Sequence, residues 1–235
     1  MEYFRNIVLL AAVAGVIAGL SMTVAQQLTT VPLILKAEIY EEQGATMPAH
    51  DHGDAAQASA HEHGDEGWAP ADGFERTAFS LLANIVTGVG FALLLIAASE
   101  LAGGIAGWRQ GVFWGLAGFA VFTLAPGLGL PPELPAMPAA DLAPRQLWWV
   151  ATVLSAAVAL GLLFYGRSLV AVLAAIALLV APHLIGAPEP QSYATPIPEG
   201  LHHSFVVAAV LTTLLFWVLL GGLAGLFRGR FIHAA

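Results

Sequence analysis

The chain consists of long apolar runs separated by short polar connections. Six runs contain no Asp, Glu, Lys or Arg, and they cover residues 6–35, 77–99, 111–130, 146–165, 168–187 and 204–227. A helix needs about 20 apolar residues to cross the hydrocarbon layer, because each backbone polar group must be paired within the segment. The pattern therefore predicts an all-α integral membrane protein. We expect a polytopic bundle of about six transmembrane helices, forming a single membrane domain over residues 1–235.

The first run is longer than one crossing requires. Either its helix extends beyond the membrane with residues 36–42, or it breaks near Pro32, whose ring and missing N–H interrupt a helix. A cleaved secretory signal is an alternative, because Arg5 precedes the apolar core and residues 23–25 resemble a small-residue cleavage site. Cleavage would leave five spans. The apolar run continues to residue 35, which favours a retained helix.

Composition excludes several classes of function. Hydrophobic residues make up 58% of the chain and charged residues only 10%, whereas soluble domains have roughly a quarter of their residues charged. The chain has no cysteine, which excludes disulfides, thiolate zinc sites, iron–sulfur clusters and cysteine nucleophiles. A net charge of -8 with a single lysine offers no basic surface for nucleic acid and no phosphate-binding loop. We predict no enzymatic activity and no tightly bound cofactor.

The distribution of basic residues indicates an orientation, because Lys and Arg tend to remain on the cytoplasmic side. An inside N-terminus puts five arginines in the cytoplasm: Arg5, Arg109, Arg167, Arg228 and Arg230. Lys36, Arg76 and Arg145 then lie outside. The same orientation puts 14 of the 16 acidic residues and seven of the eight histidines outside. Both termini are therefore predicted to be cytoplasmic.

Residues 41–75 form a predicted extracytoplasmic loop between the first two spans, flexible and rich in His and acid. It has nine carboxylates, four histidines and neither Lys nor Arg, and it repeats the pattern His-acid-His-Gly-Asp eleven residues apart. Imidazole and carboxylate bind divalent cobalt, nickel, zinc and copper. The predicted metal ligands are His50, Asp51, His52, Asp54, His61, Glu62, His63 and Asp65. The alternative is an acidic, disordered linker without a metal-binding role.

Polar residues within a membrane span are costly and so mark functional sites. Gln26 and Gln27 in the first run, and Asn84 in the second, are the predicted transport path, with interhelical hydrogen bonding alone as the other reading. Three further metal contacts are predicted near the outer surface. Two are Glu38 and Glu41, which share a helix face, and the third is His183, which follows Pro182.

Other patterns predict packing contacts. Glycines four residues apart flatten a helix face and allow close approach. Such pairs are Gly15 and Gly19, Gly103 and Gly107, Gly111 and Gly115, and Gly221 and Gly225. Glu100 ends the second span and has Arg109 as its expected partner. Trp148 lies near a predicted helix end, where an indole ring favours the headgroup region.

Four stretches resemble the CbtA family of probable cobalt transporter subunits. They are QQLTTVPLILKAEIYE at 26–41, GVFWGLAGFAVFTLAPGLGLPPELPAM at 111–137, RQLWWVATV at 145–153 and VAPHLIGAPEP at 180–190. The resemblance implies cobalt as substrate, a link to cobalamin biosynthesis and a location in the bacterial inner membrane. It also implies a small, single-span, histidine-bearing partner called CbtB. Members of the family are described with five membrane helices, one fewer than the six runs predict.

Together these features predict a membrane subunit of a cobalt uptake system, with the divalent metal ion and the lipid bilayer as its other partners. Two alternatives remain at the level of sequence. One is a metal-sensing or metal-buffering membrane protein without transport. The other is metal efflux, because a histidine-rich loop also suits export.

Overall fold

The computed structural model describes residues 1–46 and 70–231, and every regular element within these ranges is helical. The helices are α1 (Glu2–Leu28), α2 (Val31–Thr46), α3 (Phe74–Leu101), α4 (Trp108–Phe119), α5 (Ala125–Gly127), α6 (Leu142–Tyr165), α7 (Leu169–Ile185) and α8 (Glu199–Phe231). A π-helical segment, Ala120–Leu124, joins α4 to α5 without a break. The predicted fold class is confirmed.

The number of spans differs from the predicted six. Among the described residues, four helices are both long and apolar enough to cross a membrane, namely α1, α3, α6 and α8. The other two predicted spans differ in form. The run at 111–130 is a composite of α4, the π-helical segment and α5, which together cover 108–127. The run at 168–187 is the shorter apolar helix α7, of 17 residues, at the lower limit for a crossing.

The first apolar run breaks where proline suggested. α1 ends at Leu28, and α2 begins at Val31 with Pro32 in its first turn, where a missing N–H is tolerated. Thr29 and Thr30 form the break, and their hydroxyls donate to the Ala25 and Gln26 carbonyls at 2.7 and 3.4 Å. α2 carries the acidic residues onward to Thr46, so the first six residues of the predicted loop are helical.

Helix α1 packs against α3 through glycine. A Cβ atom at Gly15 would lie 2.5 Å from the Val89 backbone, and one at Gly19 would lie 2.7 Å from the Asn84 carbonyl oxygen. No side chain fits in either gap, so the two backbones are in direct contact. α1 also packs against α8, so it contacts two of the other long helices, α3 and α8.

Helices α4 and α8 pack in the same way. Gly111 and Gly115 of α4 face Gly221 and Gly225 of α8, and at each of these glycines a Cβ would collide with backbone of the other helix. The predicted packing role of these pairs is confirmed. Gly103 is different: nothing lies within 4 Å of its Cβ position, and its φ of +94° serves the turn after α3 instead.

Helices α6 and α7 form a hairpin that is attached to the rest through the π-helical segment. Val153 and Ala156 of α6 are buried against Val121 of that segment. Trp148 is buried rather than placed at a membrane surface, because its indole N–H donates to the Pro182 carbonyl at 3.2 Å and ties α6 to α7. The predicted anchor role of Trp148 is therefore wrong.

Each end of the bundle is closed by contacts between segments distant in sequence. At one end, Ala37 of α2 is buried against Leu134, Ile197 and Phe205, which belong to the connections 128–141 and 186–198 and to the start of α8. We call this the outer end, after the predicted orientation, and the opposite end the inner end. Segments predicted to share a membrane side thus lie together, as alternating spans require.

Candidate ion pathway

Asn84 makes a polar contact between α1 and α3 in the apolar part of both helices. Its amide nitrogen donates to Oε1 of Gln26 at 2.6 Å and to Oγ1 of Thr23 at 3.0 Å. The Thr23 hydroxyl in turn donates to the Gly19 carbonyl at 3.0 Å. The absence of a side chain at Gly19 brings α3 close enough for Asn84 to reach α1. Two of the three predicted path residues, Gln26 and Asn84, are therefore in direct contact.

The third path residue, Gln27, lies outside this contact. Its amide donates to the Thr77 hydroxyl at 3.3 Å, near the start of α3. On the α8 side, the hydroxyls of Thr29 and Thr212 are 3.0 Å apart. Polar side chains therefore continue from Asn84 toward the outer end along α1, α3 and α8.

A cleft of about 150 Å³ lies beside Asn84, between α1, α3, the π-helical segment and α8. It is lined by Met22, Asn84, Thr87, Phe91, Phe122, Thr123, Thr213, Phe216 and Trp217. The lining therefore combines hydroxyl, amide and thioether groups with aromatic rings. No acidic or basic side chain of the described residues lines it.

Proline accounts for the π-helical segment on one wall of the cleft. Pro126 has no N–H, and its ring would collide with the carbonyl four residues earlier, that of Phe122. Widening the helix relieves this collision, and the Ala125 N–H accordingly bonds the Ala120 carbonyl, five residues back. The Phe122 carbonyl thereby has no N–H at residue 126 to accept from. π-Helical segments occur frequently at functional sites.

A second, larger opening of about 620 Å³ lies toward the inner end, between α3, α4 and α6. Its lining is almost wholly apolar. The two openings share three rings, those of Phe91, Phe122 and Trp217. The ring centroids are 5.0 Å apart for Phe91 and Phe122, 4.9 Å for Phe91 and Trp217, and 5.6 Å for Phe122 and Trp217. These three aromatic side chains separate the polar cleft from the apolar opening.

The predicted acidic ligands at the outer end differ in environment. Glu38 accepts two hydrogen bonds from Arg76, at 2.5 and 3.2 Å, and both side chains are about one-third exposed. Arg76 also bonds Asp72 at 3.0 Å. The charge of Glu38 is therefore largely compensated, and a metal ion there would compete with a guanidinium. Glu41 is exposed, one helical turn further along α2.

Histidines near the outer end contact protein groups. His183 is half-buried in the last turn of α7, with its ring edge-on to Trp148 at a centroid distance of 5.9 Å. A ring nitrogen of His202 lies 3.2 Å from the Pro132 carbonyl, while His203 is exposed. These contacts hold His183 and His202 in defined orientations.

No cluster of three or more His, Asp or Glu side chains able to hold a metal ion occurs within residues 1–46 and 70–231. Glu38, Glu41 and His183 are therefore not brought into one site there. The eight ligands predicted in the loop lie outside the described residues: His50, Asp51, His52, Asp54, His61, Glu62, His63 and Asp65. The structure leaves their role as a prediction.

At the inner end, Glu100 links three helices. Its carboxylate accepts from Arg228 of α8 at 2.8 and 3.0 Å and from the Tyr3 hydroxyl of α1 at 2.6 Å. The predicted pairing with Arg109 is wrong, because the guanidinium of Arg109 stacks on the Trp108 ring at 5.5 Å instead. The contacts of Tyr3, Glu100 and Arg228 also place three residues predicted to be cytoplasmic at one end of the bundle.

These features describe a helical membrane protein with a neutral polar interior and charged pairs at its ends. A family model described as probable cobalt transporter subunit (CbtA) matches residues 4–229, nearly the whole chain. The chain belongs to the CbtA family. Comparison with curated proteins and with solved structures found no match. Membership of CbtA confirms the resemblance drawn from the four stretches and identifies a membrane transport subunit.

Several polar groups of this CbtA chain were missed at the level of sequence. Thr23 and Met22 lie one turn before Gln26, and Thr123 and Thr213 line the cleft from other helices. Threonine and methionine are common in apolar helices, so their presence alone gives no signal. Pro126 inside an apolar run was the one local sign of an irregular helix beside them.

Proposed function

We propose that this chain is the membrane subunit of an uptake system for divalent cobalt in the bacterial inner membrane. The observation that carries the proposal is the hydrogen bonding of Asn84 to Gln26 and Thr23 inside apolar helices. Membership of a family of probable cobalt transporter subunits supports cobalt as the ion. A polar path without fixed charge suits passage, because a divalent ion must leave its binding sites as readily as it enters.

The first stage is capture by the loop. His50, His52, His61 and His63, with the carboxylates between and after them, raise the concentration of the ion at the outer surface. Imidazole must be neutral to bind a metal. Capture should therefore weaken as pH falls through about 6.5, the usual imidazole range.

The second stage is passage through the bundle. Glu38, Glu41 and His183 contact the ion separately at the outer end, where the pairing of Glu38 with Arg76 keeps that carboxylate from holding it tightly. Gln26, Gln27 and Asn84 then provide amide oxygens within the membrane. An inside-negative potential drives a divalent ion inward by about 4.6 kcal/mol per 100 mV, twice the value for a single charge.

The description of the family as a transporter subunit implies a partner. We propose a small, single-span, histidine-bearing protein of the CbtB type. Cobalt accumulation in cells that contain the chain alone, the small protein alone or both would test this. Accumulation that requires both supports the assembly, and full accumulation with the chain alone would show that the partner is dispensable.

Direction and function are tested together by growth and metal content. Cells that produce the chain should accumulate more cobalt than control cells and should be more sensitive to toxic cobalt. Protection from toxic cobalt would indicate efflux instead. Unchanged cobalt content, with or without the small protein, would contradict transport and favour a sensor or buffer.

Orientation is tested with single cysteines, because the native chain has none. Ala55→Cys, in the loop, and Gly229→Cys, at the inner end of α8, give matched positions on opposite sides. A thiol reagent that cannot cross the bilayer should label Ala55→Cys, but not Gly229→Cys, in cells stripped of their outer barrier. Labelling of only Gly229→Cys would reverse the proposed direction of capture.

Deletion of residues 46–66 separates capture from passage. We expect cobalt uptake to fall at scarce metal and to remain near normal at abundant metal, because only the local supply of the ion changes. Replacement of the same residues by a Gly/Ser segment of equal length is the matched control for loop length. Unchanged uptake at both concentrations would reduce the loop to a spacer.

A further inference from the structure

We infer that the cleft beside Asn84 is a binding site for a partly hydrated divalent cation, with Met22, Thr87, Thr123 and Thr213 contributing to it. The inference rests on the proposed function and names where the ion pauses within the bundle. It adds residues from α1, the π-helical segment and α8 to a path predicted only from amides on α1 and α3.

Residues with oxygen atoms that can bind an ion line the cleft on three elements: α3, the π-helical segment and α8. The Asn84 amide nitrogen is engaged with α1, and its carbonyl oxygen Oδ1 accepts from no described residue. The hydroxyls of Thr87 and Thr123 likewise have no hydrogen-bond partner within the described part of the chain. Thr213 donates its proton to the Ala209 carbonyl at 2.8 Å, so its oxygen remains an acceptor. Polar side chains inside a membrane are costly unless they pair with protein groups or bind a ligand, so unpaired ones mark a candidate site.

The backbone beside Thr123 is also irregular. The π-helical segment and Pro126 together deprive the Phe122 carbonyl of its usual N–H donor, as described above. The Met22 thioether supplies a softer ligand, of a kind that hard cations such as magnesium do not favour. The chemistry of the lining therefore fits a transition metal that retains some of its water.

Aromatic rings form the inner boundary of the site. Phe91, Phe122 and Trp217 are packed together between the cleft and the apolar opening. Ring faces attract cations, yet three apolar side chains do not replace an ion's water. The rings therefore hold the ion in the cleft until they move apart.

The volume and charge of the cleft agree with a transient site. About 150 Å³ leaves room for several water molecules around an ion. The described lining has no carboxylate, so the ion is bound by neutral groups and its affinity stays modest. A modest affinity allows release inward, whereas the histidines of the loop suit tight capture.

Removal of two hydroxyls tests the site through transport. The variant Thr123→Val/Thr213→Val keeps the shape of both side chains, and Thr152→Val is the matched control, because Thr152 is buried on α6 and bonds only within that helix. We expect the cobalt concentration for half-maximal uptake to rise at least about tenfold in the double variant and less than about twofold in the control. An unchanged value in a double variant that is present at normal levels would overturn the inference.

A spectroscopic test is independent of transport. Cobalt quenches indole fluorescence at close range. The contribution of Trp217 is the difference in fluorescence between the purified wild-type chain and the purified Trp217→Phe variant. This contribution should be quenched in a saturable manner by Co²⁺ in the wild-type background. In the Thr123→Val/Thr213→Val background, half-maximal quenching of the Trp217 contribution should need at least about tenfold more cobalt. A Trp217 signal that Co²⁺ does not quench would exclude an ion from the cleft.

The two tests separate this inference from the proposed function. Wild-type cells that accumulate no cobalt would contradict transport, whereas saturable quenching of Trp217 would still support the site. Accumulation by the wild type that is indifferent to both threonines, together with an unquenched Trp217, would leave transport standing and remove the site.

Discussion

Two helix pairs in this protein have backbones in direct contact, yet among the described residues only one pair also has hydrogen bonds between its side chains. α4 and α8 meet through Gly111, Gly115, Gly221 and Gly225, with no hydrogen bond between their side chains among those described. α1 and α3 meet through glycines on α1, and at the level of Gly19 they also share the hydrogen bonds of Asn84.

This difference in hydrogen bonding distinguishes the contacts that packing requires from the contacts that it does not require. Close approach of backbones is enough to hold two helices together in lipid, where no hydrophobic force draws them to each other. Since α4 and α8 do so with glycine alone, packing does not require the amides of Gln26 and Asn84. Their presence between α1 and α3, beside a polar cleft, supports the proposed path of an ion.

The largest expected effect comes from filling a glycine contact. Gly221→Ala introduces a Cβ that collides with the Gly111 carbonyl, which cannot move without shifting α4. We expect a loss of about 3 kcal/mol in stability, seen as a lower unfolding temperature and aggregation on size-exclusion chromatography in detergent. Gly90→Ala is the control, because its Cβ would have nothing within 4 Å. Equal behaviour of the two variants would argue against glycine-mediated packing.

The next effect concerns the polar pair of helices. Asn84→Leu has nearly the same volume and removes the amide, so uptake should fall at least about tenfold while stability falls by only about 0.6 kcal/mol. Ser21→Ala is the control on α1, because the Ser21 hydroxyl bonds only the Ile17 carbonyl of its own helix. A loss of stability without a loss of uptake would make Asn84 a packing residue like the glycines.

A smaller effect is expected at the inner end, where one ion pair joins the two helix pairs. Arg228→Gln leaves the carboxylate of Glu100 without its cation, and both groups are less than one-quarter exposed. We expect a loss of about 1 to 3 kcal/mol, partly recovered in Glu100→Gln/Arg228→Gln. Arg109→Gln, which loses only a contact with Trp108, should change stability by less than about 0.5 kcal/mol. Thermal unfolding of these three variants and the wild type in detergent measures these values.

The smallest effect is expected for Gln27. Its 3.3 Å bond to Thr77 is the longest of the interhelical side-chain bonds of the path. Gln27→Leu should lower uptake by no more than about threefold, since a long hydrogen bond contributes little. A loss of uptake as large as that of Asn84→Leu would indicate that the most important residues of the path lie nearer the outer end.

The helices were predictable from the sequence because a long apolar run has few structural alternatives in lipid. The break before Pro32 was also predictable, because the ring and the missing N–H of proline interrupt a helix. The partner of Glu100 was not, because Arg109 is near in sequence whereas Arg228 lies 128 residues away and reaches Glu100 only through the packing of α8. The π-helical segment also needed the structure, since Pro126 alone does not fix how a helix adjusts.

The candidate site was predictable only in part. Gln26 and Asn84 stood out because amides are rare in apolar runs, and they proved to be in contact. Thr123 and Thr213 gave no such signal, because a threonine in a membrane helix often bonds its own backbone, as Thr213 does. Their place in the cleft depends on which helix faces which, and that is a property of the folded bundle.

In the proposed mechanism, cobalt crosses the membrane along the polar contact between α1 and α3. The most direct test is cobalt flux into proteoliposomes that contain the purified chain with the proposed small partner, under an inside-negative potential. We expect cobalt entry to rise with the potential for the wild type and to fall at least about tenfold in Asn84→Leu. Equal entry into wild-type, Asn84→Leu and protein-free vesicles would contradict it.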